Sequence, residues 1–232
     1  YNMKNLIISE QFYSLQGEGQ TMGVPSIFIR LAGCNLLCKS ESWVCDSIEV
    51  WKKGVKTEFE DVLDQEMITR LEEGTHLIFT GGEPMLHQAS ILNYLKWFEN
   101  KYKFKPIIEI ETNGTRIIDH NLFKLIDFIN CSPKLENSGE PIFRRFNEQS
   151  LTQISKHTKS IFKFVISHEN DIDEIVKDFN CIDLNKVVLM PAGEDKDQLN
   201  ETRLMVVDKC LEMGWRYCDR LHIVIWNKKT GV

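Results

Sequence analysis

His76-Leu77-Ile78-Phe79-Thr80-Gly81-Gly82-Glu83-Pro84 is an apolar, β-forming run that stops abruptly at two glycines, a carboxylate and a proline. Such a run bounded by turn formers reads as a buried strand, His76–Thr80, with a tight loop behind it. Helical patterns flank it. In Glu58–Leu71 the apolar residues Val62, Leu63, Met67, Ile68 and Leu71 share one helical face, and Ile91, Leu92, Leu95 and Phe98 do so in Ala89–Phe98. The alternation continues in both directions. Further strands are predicted at Leu6–Ser9, Ser26–Leu31, Pro106–Glu111, Phe128–Ser132, Ser160–Ser167, Lys186–Met190 and Leu221–Trp226, with helices at Asp171–Phe179 and Asn200–Met213. Strands alternating with helices predict a parallel sheet covered by helices. An open doubly wound sheet and a full or partial barrel both satisfy that pattern.

The chemically unusual residues follow the strands. Cys34 to Cys45 come after the second, Thr80-Gly81-Gly82-Glu83-Pro84 after the third, Glu111-Thr112-Asn113-Gly114 after the fourth and Cys131-Ser132-Pro133-Lys134 after the fifth. In parallel α/β folds the carboxyl ends of the strands open on one face, where sites are built. Four unusual segments are therefore expected on one rim.

Composition narrows the class. The 232 residues are 42% hydrophobic and 27% charged, the mix of a globular chain with a core and not of a disordered one. A net charge of −6 disfavours a duplex-binding surface and gives no reason to expect a nucleic-acid partner. No apolar run nears the roughly 18 residues that cross a bilayer, and no secretory signal opens the chain, so no membrane partner is expected. Tyr1-Asn2 precede Met3 and are expected to be additions outside the fold. Seven cysteines without a repeating spacing do not form a disulfide framework, which points to a reducing, cytoplasmic setting.

Cys34, Cys38 and Cys45 lie within a dozen residues. Three thiolates on one loop can hold a soft ion such as zinc, or three irons of an iron–sulfur cluster, or can stay as reduced thiols. A four-iron cluster on three thiolates leaves one iron open to an outside amine and carboxylate. The remaining cysteines, Cys131, Cys181, Cys210 and Cys218, are scattered and read as small buried hydrophobes. Glu109 and Glu111 are two apart on a strand and share a face, so burial would require partners for both.

Gly33-Cys34 through Cys45, with Thr80-Gly81-Gly82-Glu83-Pro84, resembles the radical S-adenosylmethionine (radical SAM) superfamily. Phe12-Tyr13-Ser14-Leu15-Gln16-Gly17-Glu18-Gly19, the run from Gly23 to Leu31, Glu111-Thr112-Asn113-Gly114-Thr115, Cys131-Ser132-Pro133-Lys134 and Arg220-Leu221-His222 narrow the likeness. Over nearly the whole chain the set resembles the 7-carboxy-7-deazaguanine synthase family. Two departures stand out: the family writes its cysteine loop C-x3-C-x2-C where this chain has C-x3-C-x6-C, and Ser47 replaces a threonine.

The resemblance implies a partial, abbreviated (β/α) barrel of the radical SAM type, as one domain over residues 1–232. It implies a 4Fe-4S cluster on Cys34, Cys38 and Cys45 and a magnesium ion on Ser47. S-adenosylmethionine would meet Val44, Cys45, Asp46, Gly82, Glu83, Ser132, Pro133 and Lys134. A pterin substrate would meet Leu15, Gln16, Gly17, Glu18, Arg30, Thr80 and His222, with Arg30 suited to a carboxylate and Glu111 catalytic. The implied reaction turns 6-carboxy-5,6,7,8-tetrahydropterin into 7-carboxy-7-deazaguanine with loss of ammonia, in queuosine-type biosynthesis. A flavodoxin or ferredoxin as reductant and a homodimeric, cytoplasmic enzyme follow from the same resemblance. Two other readings use the cysteines differently: an activase that makes a glycyl radical on a partner protein, and a non-catalytic iron–sulfur or zinc module.

Overall fold

The computed structural model describes residues 4–45, 47–229 and 231. One nine-stranded sheet runs through it. The strands are β1 (Asn5–Leu15), β2 (Pro25–Leu31), β3 (Val55–Glu58), β4 (His76–Gly81), β5 (Ile107–Thr112), β6 (Phe128–Cys131), β7 (Ser160–Ile166), β8 (Val187–Pro191) and β9 (Arg216–Tyr217). Their spatial order is β3-β1-β2-β4-β5-β6-β7-β8-β9. From β2 to β9 every pairing is parallel, whereas β1 pairs antiparallel with both β2 and β3. The sheet stays open between β3 and β9, so the fold is the partial barrel.

The helices are α1 (Ile48–Trp51), α2 (Gln65–Glu72), α3 (Gln88–Tyr102), α4 (His120–Phe123), α5 (Ile142–Arg145), α6 (Glu148–Ser155), α7 (Asp171–Asp178), α8 (Lys196–Met213) and α9 (Leu221–Trp226). α2 begins later than its apolar pattern suggests. Asp64 caps it by accepting from the Met67 N–H at 2.8 Å, and the residues before it end β3 and make a 3-10 turn. α3 buries Ile91, Tyr94, Leu95 and Phe98, a helical i, i+3, i+4, i+7 set, against the sheet. None of the described helices is long and apolar enough to cross a membrane.

Leu221–Trp226 corrects an expectation: it is a helix, not a strand. A six-residue apolar run carries no decisive periodicity. Here only Ile223 is buried, while Val224 and Ile225 are exposed, an arrangement that a single helical turn against the barrel rim permits.

The two faces of the sheet differ in chemistry. Ile29, Phe79, Ile110, Cys131, Phe162 and Leu189 face the helices, all fully buried. The register puts Arg30 beside Thr80, Ile78 beside Glu109, Glu111 beside Asn130 and Asn130 beside Ile161. Side chains alternate along a strand, so Arg30, Thr80, Glu111, Asn130 and Lys163 share the inner face. A β-bulge between Ile8 and Glu10 completes it. Leu6 and Ile8 stay in the apolar core, and the extra residue turns Glu10 inward, opposite Arg30. Parallel sheets buried on both faces read as continuous apolar strands. This one is apolar outside and mixes charged and polar residues with Ile78, Ile161 and Val188 inside, which marks the concave side as a chamber.

Candidate active site

Adjacent strand ends are stitched together at the rim. The Gly82 N–H donates to the Leu31 carbonyl at 3.3 Å, Glu83 N–H to the Gly33 carbonyl at 2.9 Å and Ser132 N–H to the Thr112 carbonyl at 2.7 Å. Glycine is required where β4 meets the cysteine loop. A Cβ on Gly82 would overlap the Gly33 carbonyl oxygen and lie 2.7 Å from Cys34 Cβ, and Gly81 adopts φ +143°. The four unusual segments thus converge as the topology requires.

The long spacing between Cys38 and Cys45 folds into a small hairpin. Lys39 and Val44 form an antiparallel bridge, and the Cys45 N–H donates to the Cys38 carbonyl at 3.0 Å. The added residues project as a tip, and Cys38 and Cys45 become cross-strand neighbours. The hairpin is docked on the loop after β6: Ser40 Oγ donates to the Asn137 carbonyl at 2.6 Å and Trp43 Nε1 to Asn137 Oδ1 at 2.9 Å. Gly139 makes room for it, since a Cβ there would lie 2.6 Å from the Lys39 carbonyl oxygen. Trp43 is therefore an anchor of this hairpin and not part of the central core.

Burial pushes the Cys34 thiol up to about 11 and the Cys38 thiol up to about 12, with Glu83 and Cys45 adding repulsion at the first and Cys45 and Cys34 at the second. A set of thiols that repel as thiolates accepts positive charge. Leu36 N–H points at Cys34 Sγ from 3.4 Å, and Asn113 Nδ2 lies 4.0 Å from the same sulfur. Among the described residues no three His, Cys, Asp or Glu side chains converge on one ion-sized point. An iron–sulfur cluster takes one thiolate per iron, which three cysteines on one loop can supply. The donor set fits the cluster.

Each remaining residue has a definite place. Glu83 is fully buried and caps the turn behind it. Oε1 accepts from the Met85 N–H at 2.9 Å and from Thr112 Oγ1 at 2.7 Å, while Oε2 accepts from the Asn113 N–H at 2.7 Å. Burial pushes its carboxyl up. Glu83 thereby braces the β4 loop against the β5 loop. Pro133 is buried, and Lys134 Nζ donates to Ser132 Oγ at 2.9 Å and stands 5.9 Å from the Trp43 ring centre. Val44 belongs to the hairpin bridge. Asp46 lies outside the described residues.

Deeper in the chamber, Gln16 Nε2 donates to Glu109 Oε1 at 2.8 Å and to Glu111 Oε1 at 2.9 Å, and Thr80 Oγ1 donates to Glu111 Oε2 at 2.6 Å. Both carboxylates face inward, as their spacing predicts. Glu109 is wholly buried and fully partnered: Thr21 Oγ1 bonds both of its oxygens, Asn130 Nδ2 donates to Oε1, and His76 Nδ1 lies 3.3 Å from Oε2. Glu111 is half-buried and opens to the chamber. Leu15 ends β1, and Gly17 sits against the His222 ring, where a Cβ would overlap Nδ1. Arg30 Nε donates to Glu10 Oε1 at 2.8 Å, and Nη1 lies 3.4 Å from Ser47 Oγ. A strand arginine facing a chamber needs a counter-charge, and the bulge supplies Glu10.

Motif reading passed over Lys163, Asn130 and Thr21. Lys163 lies in a buried strand and ion-pairs with Glu18, which also accepts from Arg220 Nε at 3.0 Å. A lysine between Phe162 and Phe164 is the one signal that could have drawn notice.

A polar chamber inside an open (β/α) sheet, with a three-cysteine loop seated on its rim, defines an iron–sulfur enzyme of the radical SAM class. The family model described as a 4Fe-4S single cluster domain matches residues 15–155. The chain belongs to the 7-carboxy-7-deazaguanine synthase family. It is 34% identical to the 7-carboxy-7-deazaguanine synthase of Halobacterium salinarum over 247 aligned positions, covering 96% of this chain and 91% of that one. With the Pyrobaculum aerophilum protein of the same name the identity is 32%, over 97% and 96% of the two chains. The crystal structure of QueE from Escherichia coli is similar with a TM-score of 0.68 and 26% identity, covering 94% of this chain and 95% of that one. Membership stands against the glycyl-radical activase and the non-catalytic module.

Proposed function

We propose that the chain converts 6-carboxy-5,6,7,8-tetrahydropterin into 7-carboxy-7-deazaguanine, releasing ammonia. The observation that carries this reading is the joint placement of the cysteine loop on the rim and of Gln16, Glu18, Thr80 and Glu111 in the chamber directly inside it. Cys34, Cys38 and Cys45 would hold the 4Fe-4S cluster. When bound, that cluster supplies one electron to S-adenosylmethionine, whose carbon–sulfur cleavage gives a 5′-deoxyadenosyl radical. The protein supplies position, a polar wall and exclusion of water.

Ser132, Lys134 and the backbone at Gly81-Gly82 would receive S-adenosylmethionine, with Glu83 holding that turn in place. Gln16 and Thr80 orient Glu111 with both oxygens fixed, so it can accept one further hydrogen bond or a proton from a chamber ligand. Leu15, Gly17, Glu18 and His222 line the substrate side, and Arg30, steadied by Glu10, is aimed at the substrate carboxylate. Ser47 offers one neutral oxygen beside a guanidinium, which does not make a magnesium site without anionic substrate oxygens. A small flavodoxin- or ferredoxin-type reductant, a homodimer and a reducing cytoplasm complete the proposal on the strength of the resemblance.

Anaerobic reconstitution with iron and sulfide, followed by S-adenosylmethionine, reductant and the carboxypterin, tests it by mass spectrometry. The expected product is 7-carboxy-7-deazaguanine. Release of 5′-deoxyadenosine without any deazapurine would overturn the substrate assignment.

A further inference from the structure

Lys163 occupies the middle of β7, where every neighbour along the strand but Val165 is buried. Its side chain is 7% exposed and its ammonium pairs with Glu18 Oε2. The second oxygen, Oε1, accepts from Arg220 Nε at 3.0 Å, and His222 Nε2 lies 3.9 Å from it. Arg220 is itself fixed, donating from Nη1 to the Gly193 carbonyl at 2.5 Å. Three parts of the chain therefore meet on one carboxylate: the loop after β1, the middle of β7 and the start of α9.

The expense of this arrangement is the clue. Each buried ion loses several kcal/mol of hydration, and a paired set roughly breaks even against apolar residues of the same shape. If the loop after β1 needed only fastening, apolar contacts would fasten it. A carboxylate offers about four acceptor positions. Lys163 and Arg220 take one on each oxygen, and His222 Nε2 stands 3.9 Å from Oε1. The remaining positions belong to a carboxylate 15% exposed, beside Gln16 in the chamber.

We propose that Lys163 is the positioning residue that holds Glu18 as a fixed, ionised acceptor, with Arg220 as its second clamp, and that this unit selects a ring edge presenting two adjacent N–H donors. The 2-amino-4-oxopyrimidine edge of a pterin is such an edge, so the inference rests on the proposed function. Two parallel N–H···O bonds to one carboxylate demand a set orientation as well as a charge. Glu18 tilted or protonated loses one or both.

The titrating groups around Glu18 are Lys163 from β7, Arg220 and His222 from the α9 segment, and Cys218 after β9. Lys163 in turn faces Glu18, Glu111 and Cys218. Burial pushes the Glu18 carboxyl up, but Lys163 first, then Arg220 and His222, hold it well below its ordinary value. Without Lys163 the burial contribution remains and its largest opponent is gone. Glu18 then titrates at higher pH, and donor recognition fails on the acid side.

The test compares wild type with Lys163→Met, Lys163→Arg and the double variant Glu18→Gln/Lys163→Met. Iron content per chain and melting temperature establish that each is folded. Binding of the carboxypterin to cluster-free protein is titrated by fluorescence, and kcat and KM are followed from about pH 5 to about pH 9. Expected for Lys163→Met is a KM and a dissociation constant raised about tenfold or more, a smaller change in kcat, and kcat/KM that rises with pH where wild type is flat. Lys163→Arg recovers part of the binding. The double variant removes both charges, folds even if Lys163→Met does not, binds weakly and shows no acid limb. Wild-type KM and an unaltered pH profile in Lys163→Met, or wild-type binding in the double variant, would overturn the inference while the functional reading stands. A wild-type enzyme that cleaves S-adenosylmethionine but makes no deazapurine would remove both.

Discussion

Two glycines show how much one hydrogen atom in place of a methyl can carry. At Gly82 a Cβ meets the Gly33 carbonyl oxygen and Cys34 Cβ, both part of the cysteine loop; at Gly23 it meets nothing, although φ is +89°. Gly23→Ala should therefore cost only the left-handed penalty of about 1–2 kcal/mol. Gly82→Ala must displace the cysteine loop, an overpacking of about 1–3 kcal/mol directed at the cluster ligands. Iron and sulfide per chain after reconstitution should fall sharply in Gly82→Ala and stay near wild type in Gly23→Ala. Glu109 is the polar counterpart. Its carboxylate accepts from Gln16, Thr21 and Asn130 while fully buried. Glu109→Gln turns an acceptor into a donor facing other donors, and an unmet buried group costs about 1–3 kcal/mol. For a chain of this size that lowers the melting temperature by about 2–4 °C per kcal/mol, readable by calorimetry.

Among the elements, the hairpin between Cys38 and Cys45 carries the most information. Six residues that would push two ligands apart are absorbed as a tip, because Lys39 pairs with Val44 and the tip is tied to Asn137. Asn137 is held in turn: its Nδ2 donates to the Val165 carbonyl at 2.9 Å and to Asp171 Oδ2 at 2.8 Å, at the entrance to α7. Asn137→Ala removes the side-chain part of this tie, the Trp43 bond and the two bonds from Nδ2, and leaves the Ser40 bond to the backbone carbonyl. Amide hydrogen exchange over residues 39–45 should rise about tenfold or more, with the strands of the sheet unaffected, since each lost bond is worth about 1 kcal/mol. Unchanged exchange there would mean that the bridge and the Ser40 bond to the Asn137 backbone carbonyl suffice to hold the hairpin.

At the scale of the molecule, pH acts from two sides. Glu18 titrates below the ordinary carboxylate range in the folded state, so its stabilisation is complete above about pH 4.3 and is lost as pH falls through the depressed value. Cys34 and Cys38 titrate at about 11 and about 12 when folded. The unfolded thiols release protons from about pH 8.5, so cluster-free protein loses stability as pH rises above that point. Melting temperatures of the cluster-free protein should be flat across neutral pH and fall on the alkaline side. Cys34→Ser and Cys38→Ser should each shallow that fall. Cluster assembly runs against the same protons, so loading should release protons and proceed more readily toward alkaline pH.

The strand–helix order, the rim segments and the three cysteines are legible in the chain, because periodicity, turn formers and loop spacing are local properties. Even so, β1 read as a short strand, and its antiparallel pairing and bulge were not visible. Neither was the helical state of Leu221–Trp226, whose six residues satisfy either form until the barrel rim buries Ile223 alone. The meaning of the added residues after Cys38 depended on Asn137, nearly a hundred positions away. The ionic clamp on Glu18 joins residues 145 and 202 positions apart. A lone lysine in an apolar strand states that a counter-charge must exist, since an unpaired buried ion is too costly to keep; which carboxylate answers it is settled when the sheet curls and brings the ends of the chain together.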